Sequence, residues 1–279
     1  MENNKKKSII PTIILTILSL LWIYPIILIL LNSLKKESAI TTTGVFELPL
    51  GEIWNGFTNY VASVTQMDFL KSFWYSLVIS VMSVVLIMLC CSMAAWYIVR
   101  VNGKLSKMFY YLCVFSMVVP FQMVMFTLAK TADTLKLNNP YNICIIYLGF
   151  GAGLSVFMLC GFIKSIPLEI EEAAMIDGAS PIQAFFTVVF PMLKPTAITV
   201  AILNTMWIWN DYLLPYLVLG SDKKTIPVAI QLAMQGAYGS TDYGGFMAML
   251  VLAIVPIIIF YIFCQKYIIK GVVAGAVKG

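Results

Sequence analysis

Two short polar stretches interrupt apolar parts of this sequence, and their side chains are the first to consider for chemistry. The stretch EEAAMIDGAS carries carboxylates at Glu171, Glu172 and Asp177. The stretch WIWNDYLLP places Asn210 and Asp211 among aromatic rings. Carboxylates in such settings can transfer protons, bind metal ions or meet a basic partner surface. The residue types elsewhere in the chain decide among these uses.

Catalysis and metal binding are both disfavoured by the rest of the composition. The chain has no histidine, which is the commonest general base and metal ligand. Its six cysteines all fall inside apolar runs without CxxC or Cys/His spacing, so they are expected to be free thiols. The phosphate-binding pattern GxxxxGK[ST] is also missing, so we expect no ATP binding by this chain. No catalytic residue, metal site or cofactor is predicted in it.

The composition indicates an integral membrane protein. Of 279 residues, 61% are hydrophobic and only 11% are charged, with a mean hydropathy of +0.91. Soluble domains carry about 25% charged residues, and a soluble fold of this size could not hide so much apolar surface. We expect an all-α fold that forms a single transmembrane domain over residues 1–279.

Six apolar stretches reach the roughly 20 residues that cross a bilayer, and in lipid each must be a helix to satisfy its own backbone. The first follows a lysine cluster, but it is too long for a signal-peptide core, so it is predicted to be a retained membrane helix. The predicted spans are 8–31, 73–99, 108–129, 143–163, 196–219 and 246–265. Within the fourth, Gly149 and Gly153 would permit close helix packing.

The distribution of lysine and arginine predicts the orientation. With both termini inside, eleven of these residues lie on the inner side and seven on the outer side. Cytoplasmic loops carry such an excess. This orientation makes the segment 165–195 cytoplasmic and 32–72 and 220–245 outer loops.

The segment 165–195 has the local signals of two short helices joined by a hinge. Pro167 suits a first helical turn, and the glutamates after it lie near the positive end of the helix dipole. Gly178 stands where a left-handed residue after a helix end is wanted. Ser180, Pro181 and Gln183 then form a capping-box pattern.

The second of these helices predicts one apolar face, and two prolines follow it. The face would hold Ile182, Phe185, Phe186 and Val189, at helical spacing. Pro191 and Pro195 are expected to end or bend the helix before the next span. A helix lying on lipid would favour lysine and arginine on its polar face, whereas the polar residues here are acidic. We therefore interpret the segment as a surface for a protein partner.

These residues carry a resemblance to a known family. Glu172-Ala173-Ala174, followed by Asp177-Gly178-Ala179, is similar to the EAA loop of the permease subunits of ATP-binding-cassette importers. WIWNDYLLP and the ending QKYIIKGVVAGAVKG resemble the smaller, six-span permease of the maltose-type carbohydrate importers. The resemblance covers essentially the whole chain and implies the fold of that permease.

The resemblance also implies a mode of action. The EAA loop of the family docks into a separate ATPase subunit, so we call residues 165–195 the coupling loop. Its docking core here would be Glu172, Ala173, Ala174, Asp177, Gly178 and Ala179, bracketed by Pro167, Pro181, Pro191 and Pro195. The C-terminal tail, with Gly275 and Lys278, would also contact the ATPases.

The implied assembly has several components besides this chain. They are a second, non-identical permease, two ATPase subunits that bind ATP and magnesium, and an extracytoplasmic solute-binding protein. The assembly would sit in a bacterial-type cell membrane and import a carbohydrate, an oligosaccharide being favoured. The sequence does not name the sugar, and it does not say whether the ATPase is dedicated or shared.

Residues 207–215, which we call the WND segment, supply the candidates for a translocation pathway. These are Trp207, Asn210, Asp211 and Tyr212, because aromatic rings with a few polar groups suit the faces of sugars. The same residues suit a helix cap and an aromatic belt at the membrane surface. In the maltose-type family the larger permease holds most of the sugar.

Three other functions are left open by the residues. An ion-coupled secondary carrier would want ionisable pairs within the membrane and an internal repeat, and we find one marginal aspartate and no repeat. A permease for a non-sugar solute is opposed by the tail and the WND segment. A membrane enzyme is opposed by the missing histidine and catalytic clusters.

Overall fold

The computed structural model describes residues 2–236 and 242–276, and the side chains of these except 2–8, 10 and 268–276. Apart from one isolated bridge between Lys35 and Trp54, the regular structure of this described part is helical. The first helices are α1 (Glu2–Asn32), α2 (Glu37–Thr42), α3 (Thr58–Thr65), α4 (Phe69–Arg100), α5 (Lys104–Ser116), α6 (Phe121–Thr134) and α7 (Cys144–Ile163). They are followed by α8 (Leu168–Ile176), α9 (Pro181–Ala184), a π turn (Phe185–Val189), α10 (Phe190–Met192), α11 (Lys194–Trp209), α12 (Leu213–Leu219), α13 (Ile226–Met234) and α14 (Tyr243–Ala276).

The described helices supply four to six membrane spans. Four are long and apolar enough alone: α1, α4, α7 and α14. Two further pairs qualify when each bent pair is taken as one span, namely α5 with α6, and Pro181–Met192 with α11. The all-α membrane fold is confirmed, and each predicted span overlaps one of these six.

The predicted span 108–129 is not one straight helix. It is the pair α5 and α6, bent by 105°. Pro120 stands directly before α6 with extended backbone, so the helix of α5 ends short of it at Ser116. Proline lacks an N–H and disfavours helical backbone in the residue before it, which explains the break.

The predicted span 196–219 is also interrupted. α11 ends at Trp209, and α12 begins at Leu213 after a break at Asn210–Tyr212. Asp211 is the cause of the new helix start, because its Oδ1 accepts hydrogen bonds from the backbone N–H groups of Leu213 and Leu214 at 3.0 and 3.4 Å. Aspartate is a strong helix N-cap.

The chain divides into two compact units, Met1–Leu70 with Ala229–Ile258, and Lys71–Val228 with Ile259–Gly279. In the first, polar side chains tie the segment after α1 together. The amide of Asn59 donates to the carbonyls of Ser33 and Lys35, both at 2.8 Å. The buried Lys35 ammonium donates to the carbonyl of Gly44 at 2.8 Å. These bonds satisfy backbone groups that have no helical partner.

In the second unit, α7 packs against both α5 and α11. A Cβ atom on Gly153 would lie 2.7 Å from the carbonyl oxygen of Cys113 in α5, so only glycine fits there. At Gly149, by contrast, a Cβ would meet open space. Of the two glycines that the sequence suggested for close helix packing, only Gly153 is therefore at a close contact between helices.

Candidate functional site

The first half of the coupling loop ends in the predicted glycine hinge. α8 stops at Ile176, and Gly178 follows with a left-handed φ of +95°. The N–H of Gly178 donates to the carbonyl of Met175 at 3.1 Å, and that of Ala179 donates to Ala174 at 3.0 Å. This pair of bonds is the Schellman motif, which closes a helix with a glycine just past its end.

The second half begins with the predicted capping box. The Ser180 hydroxyl accepts from the backbone N–H of Gln183 at 3.3 Å, and the Gln183 side chain accepts from the Ser180 N–H at 2.8 Å. Pro181 occupies the first turn. The Schellman motif and the capping box therefore form the turn at Gly178–Ser180. Each of them satisfies backbone groups at a helix end.

The apolar face predicted for the second half is wrong in part. Phe185 and Val189 are buried, but Ile182 is 61% and Phe186 42% exposed. The π turn from Phe185 to Val189 changes the helical spacing on which that face was based. Pro191 explains this turn, because without an N–H it cannot donate to the carbonyl four residues earlier. The bend expected near Pro191 and Pro195 is present, at 77°.

The tip of the coupling loop presents the residues of the expected docking core. Glu172, Ala173, Asp177 and Gly178 are exposed, whereas Ala174 and Ala179 are partly buried. Ile176 is 85% exposed, although the sequence did not single it out. Its side chain adds an apolar group beside the exposed carboxylates of Glu172 and Asp177. The four bracketing prolines, Pro167, Pro181, Pro191 and Pro195, are all exposed as well.

Glu171, which precedes the expected docking core, is turned away from the solvent. It is only 2% exposed, and its carboxylate accepts hydrogen bonds from two side chains of α4. The guanidinium Nη2 of Arg100 lies 2.5 Å from Oε1, and the indole Nε1 of Trp96 lies 2.8 Å from Oε2. Neither Arg100 nor Trp96 was among the residues predicted from the sequence. An arginine at the end of a long apolar helix was the available signal.

In the WND segment, both carboxylate oxygens of Asp211 accept hydrogen bonds from the protein itself. Oδ1 caps α12, and Oδ2 accepts a hydrogen bond of 2.9 Å from the hydroxyl of Tyr147, which is completely buried in α7. Asp211 therefore has the helix-cap role that the sequence left open beside the pathway role. Tyr147 was not among the expected residues.

The other candidates of the WND segment lie around this hydrogen bond. Trp207 is 42% exposed, and its ring meets that of Tyr147 edge to face at 5.5 Å. Asn210 is exposed, and its amide donates to the carbonyl of Met206 at 2.7 Å. Tyr212 stacks on Tyr216 at 5.3 Å. Trp207 and Asn210 are thus the candidates that keep surface for a solute.

Two residues of the expected tail contacts cannot be placed against a partner surface: Gly275 falls near the end of α14, where side chains are not described, and Lys278 is outside the described residues. Within the side chains that are described, no group of three or more His, Cys, Asp or Glu residues could hold a metal ion.

Comparison with known proteins places this geometry in a family. A family profile described as "Binding-protein-dependent transport system inner membrane component" matches residues 87–273. The chain is 36% identical to the probable starch degradation products transport system permease protein AmyC of Thermoanaerobacterium thermosulfurigenes over 263 residues, 94% of each chain. It is 33% identical to the multiple sugar-binding transport system permease protein MsmG of Streptococcus mutans, over 95% of each.

A solved structure gives the same result for the fold. A chain from the crystal structure of a bacterial ABC transporter involved in the import of the acidic polysaccharide alginate superposes with a TM-score of 0.78. The two chains are 25% identical, and the match covers 96% of this chain and 98% of that one.

The chain belongs to the family of binding-protein-dependent transport system inner membrane components. It is a multi-pass membrane protein and a transport subunit, with the fold of an ATP-binding-cassette importer permease. The prediction of a permease of the carbohydrate-uptake type is confirmed. Membership implies that an ATPase and a solute-binding protein act with it.

Proposed function

We propose that this chain is one of two non-identical permease subunits of an importer that brings an oligosaccharide across the cell membrane. The support is the chemistry in the relatives' descriptions. These name starch degradation products, multiple sugars and the polysaccharide alginate as what is transported. All three are carbohydrates, and two of them are polymers or fragments of polymers.

The observation that carries the proposal is the exposed tip of the coupling loop. It combines the Gly178 hinge with Glu172, Ile176 and Asp177, all of which are solvent-accessible and anchored on a capped helix. Each of two partner ATPase subunits would receive one such loop, from this chain or from the second permease. ATP and magnesium would be bound by the ATPases, and this chain would supply no residue to that chemistry.

The orientation proposed for the chain follows from this docking. Both termini and the coupling loop would be cytoplasmic, in agreement with the excess of lysine and arginine in the segments on that side. The solute-binding protein would then meet the opposite side, to which the predicted outer loops 32–72 and 220–245 would belong. The tail, with Gly275 and Lys278, would be near the ATPases.

The bent helix pairs give the loop a means of moving the spans. The coupling loop continues directly into α11 through the 77° bend, so that a displacement of its tip turns a long helix at one end. ATP-driven closure of the ATPases would use this lever to exchange inward-open and outward-open states. The WND segment lies at the other end of α11, where Trp207 and Asn210 would contact the passing sugar.

A glycine substitution tests whether the hinge docks and drives transport. In Gly178→Val a β-branched residue must adopt a φ of +95°, which is strained for any side chain and most for branched ones. We expect normal membrane insertion, loss of ATPase co-purification and at least about tenfold lower sugar uptake, since about 1–3 kcal/mol of strain disturbs the tip.

The matched control is Gly161→Val in α7, where the same side chain enters open space on a helical backbone. Uptake by this control should stay within about twofold of the wild type, as expected of a surface change. Equal uptake by Gly178→Val and the wild type would rule out docking through the hinge. If the wild-type chain purifies without any ATPase from several mild detergents, the importer assembly itself is refuted.

A further inference from the structure

The coupling loop is joined to α4 by a largely buried network, made of hydrogen bonds to its first half and an aromatic contact with its second half. In the first half, Arg100 donates to Glu171 Oε1 from Nε at 2.9 Å and from Nη2 at 2.5 Å. Nη2 also donates to the carbonyl of Ile166 at 3.0 Å, just before α8. The Arg100 guanidinium therefore binds both the side chain of Glu171 in α8 and the backbone that leads into α8.

Trp96 extends the network to the second half of the loop. Its indole N–H donates to Glu171 Oε2 at 2.8 Å, so both carboxylate oxygens are occupied by α4. The same indole also lies against the buried ring of Phe185, in the π turn, at 5.2 Å between ring centroids and with the two rings tilted by 42°. Because Trp96 and Arg100 are four residues apart, they lie on one face of α4 and act together.

The chemistry of this network makes it stiff. Glu171 has 3% of its side chain exposed and Arg100 has 18%, so their pairing is little screened by water. Breaking a buried pair by removing one partner leaves an uncompensated charge, which is strongly unfavourable. The planar guanidinium fixes direction as well as distance, which a lysine ammonium would not do. A displacement of Glu171 must therefore carry Arg100 with it.

We propose that Arg100 and Trp96 are positioning residues that transmit movement of the coupling loop to α4. The backbone joins the loop to α7 on one side and to α11 on the other, but α4 is 71 residues away along the chain. Through the side-chain network, α4 would move together with the coupling loop. The inference rests on the proposed function, because the movement originates in a docked ATPase.

The first experiment measures, in the absence of any ATPase, how much the network with α4 (the tie) stabilises α8. Hydrogen–deuterium exchange is recorded on the purified permease, for the peptides that cover α8, with wild type, Arg100→Gln and Trp96→Phe. Trp96→Phe keeps an aromatic ring near Phe185 but loses the indole N–H together with the five-membered ring that carries it. We expect faster exchange in α8 for both variants, and unchanged exchange in both would overturn the proposal.

The second experiment measures transmission in the complete importer, reconstituted in liposomes with its partner subunits. We expect Arg100→Gln to assemble and hydrolyse ATP while transporting about tenfold less sugar per ATP, and Trp96→Phe about threefold less. A residue that only stabilised the fold would lower uptake and ATP hydrolysis together. Unchanged sugar transport per ATP in both variants would overturn the inference.

Matched controls and a double substitution complete the test. Lys104→Gln and Lys107→Gln each remove one positive charge, as Arg100→Gln does, but at exposed positions of α5 outside the coupling loop, and should leave transport per ATP unchanged. Arg100→Gln with Glu171→Gln should be no worse than the poorer single variant, because the two residues act as a pair. Additive losses would contradict the pairing. Failure of the wild-type importer to assemble would refute the proposed function, and the exchange data would then still decide on the tie.

Discussion

The coupling loop and the WND segment are both polar interruptions of apolar sequence, but they direct their carboxylates differently. At the tip of the coupling loop, Glu172 and Asp177 face outward and are exposed. In the WND segment, Asp211 turns inward and is held by Tyr147 and by two backbone N–H groups of α12. A carboxylate that the protein has already satisfied serves its fold, whereas one that is left exposed is available to a partner.

Glu171 shows that the distinction runs between adjacent residues. It precedes Glu172 directly, yet Arg100 and Trp96 occupy both of its oxygens. The coupling loop thus has an inward side that resembles the WND segment and an outward side that does not. Successive residues of a helix point about 100° apart, which is enough to assign one glutamate to the fold and the next to the surface.

The strongest test of this difference is to remove one inward-facing and one exposed carboxylate and to compare the effects. Asp211→Ala loses a helix cap and leaves the buried Tyr147 hydroxyl without its acceptor, so we expect a loss of about 3 kcal/mol in the free energy of unfolding. Glu172→Ala should change that free energy by less than about 0.5 kcal/mol, while weakening association with the ATPase. Thermal unfolding and co-purification, measured on both variants, check the pair of outcomes.

The opposite pattern would reassign Asp211. If Asp211→Ala unfolds at the wild-type temperature and yet takes up less sugar, the carboxylate belongs to the translocation pathway. Asp211→Asn provides a graded control, because asparagine is also a good N-cap and can keep the bonds to α12. Its stability should lie between those of wild type and Asp211→Ala.

A smaller effect is expected at the exposed ring of the WND segment. Trp207→Ala removes the ring that packs edge to face on Tyr147, and with it the surface that we propose for the sugar. We expect uptake to fall about fivefold with ATP hydrolysis unchanged, since such aromatic contacts contribute about 1 kcal/mol. Trp209→Ala, which loses an edge contact with Phe73, is the matched control. Equal losses in the two variants would mean that Trp207 serves packing only.

The turn of the coupling loop was predictable because its causes are local. Gly178, Ser180 and Gln183 act on backbone groups within five residues, so the Schellman motif and capping box can be inferred from spacing. The number and approximate positions of the apolar segments likewise follow from length alone. Pro120 itself indicates a break in the helix before it. The apolar composition on both sides nevertheless made the stretch 108–129 look like one continuous span.

The burial of Glu171 and Asp211 had no such local cause. Their partners lie 71 and 64 residues away, on α4 and α7. Glu171 and the exposed Glu172 are adjacent, so the sequence around them has the same composition. The helix α8 has only nine residues, which is too few for the periodicity of its apolar positions to separate the buried face from the exposed one. The π turn at Phe185–Val189 is an intermediate case, because Pro191 indicates a lost hydrogen bond without fixing how the helix adapts.

The smallest expected effect sharpens the comparison within the coupling loop itself. Ser180→Ala removes the side-chain acceptor of the capping box and should cost the second half of the loop about 1 kcal/mol of local stability. Hydrogen–deuterium exchange of residues 181–189 should then rise about fivefold, while α8 stays as in the wild type. Ser180→Asp, which preserves a cap, should restore slow exchange. If exchange rises equally in α8, the two halves open as one unit, and the network from Trp96 to both of them is the physical reason.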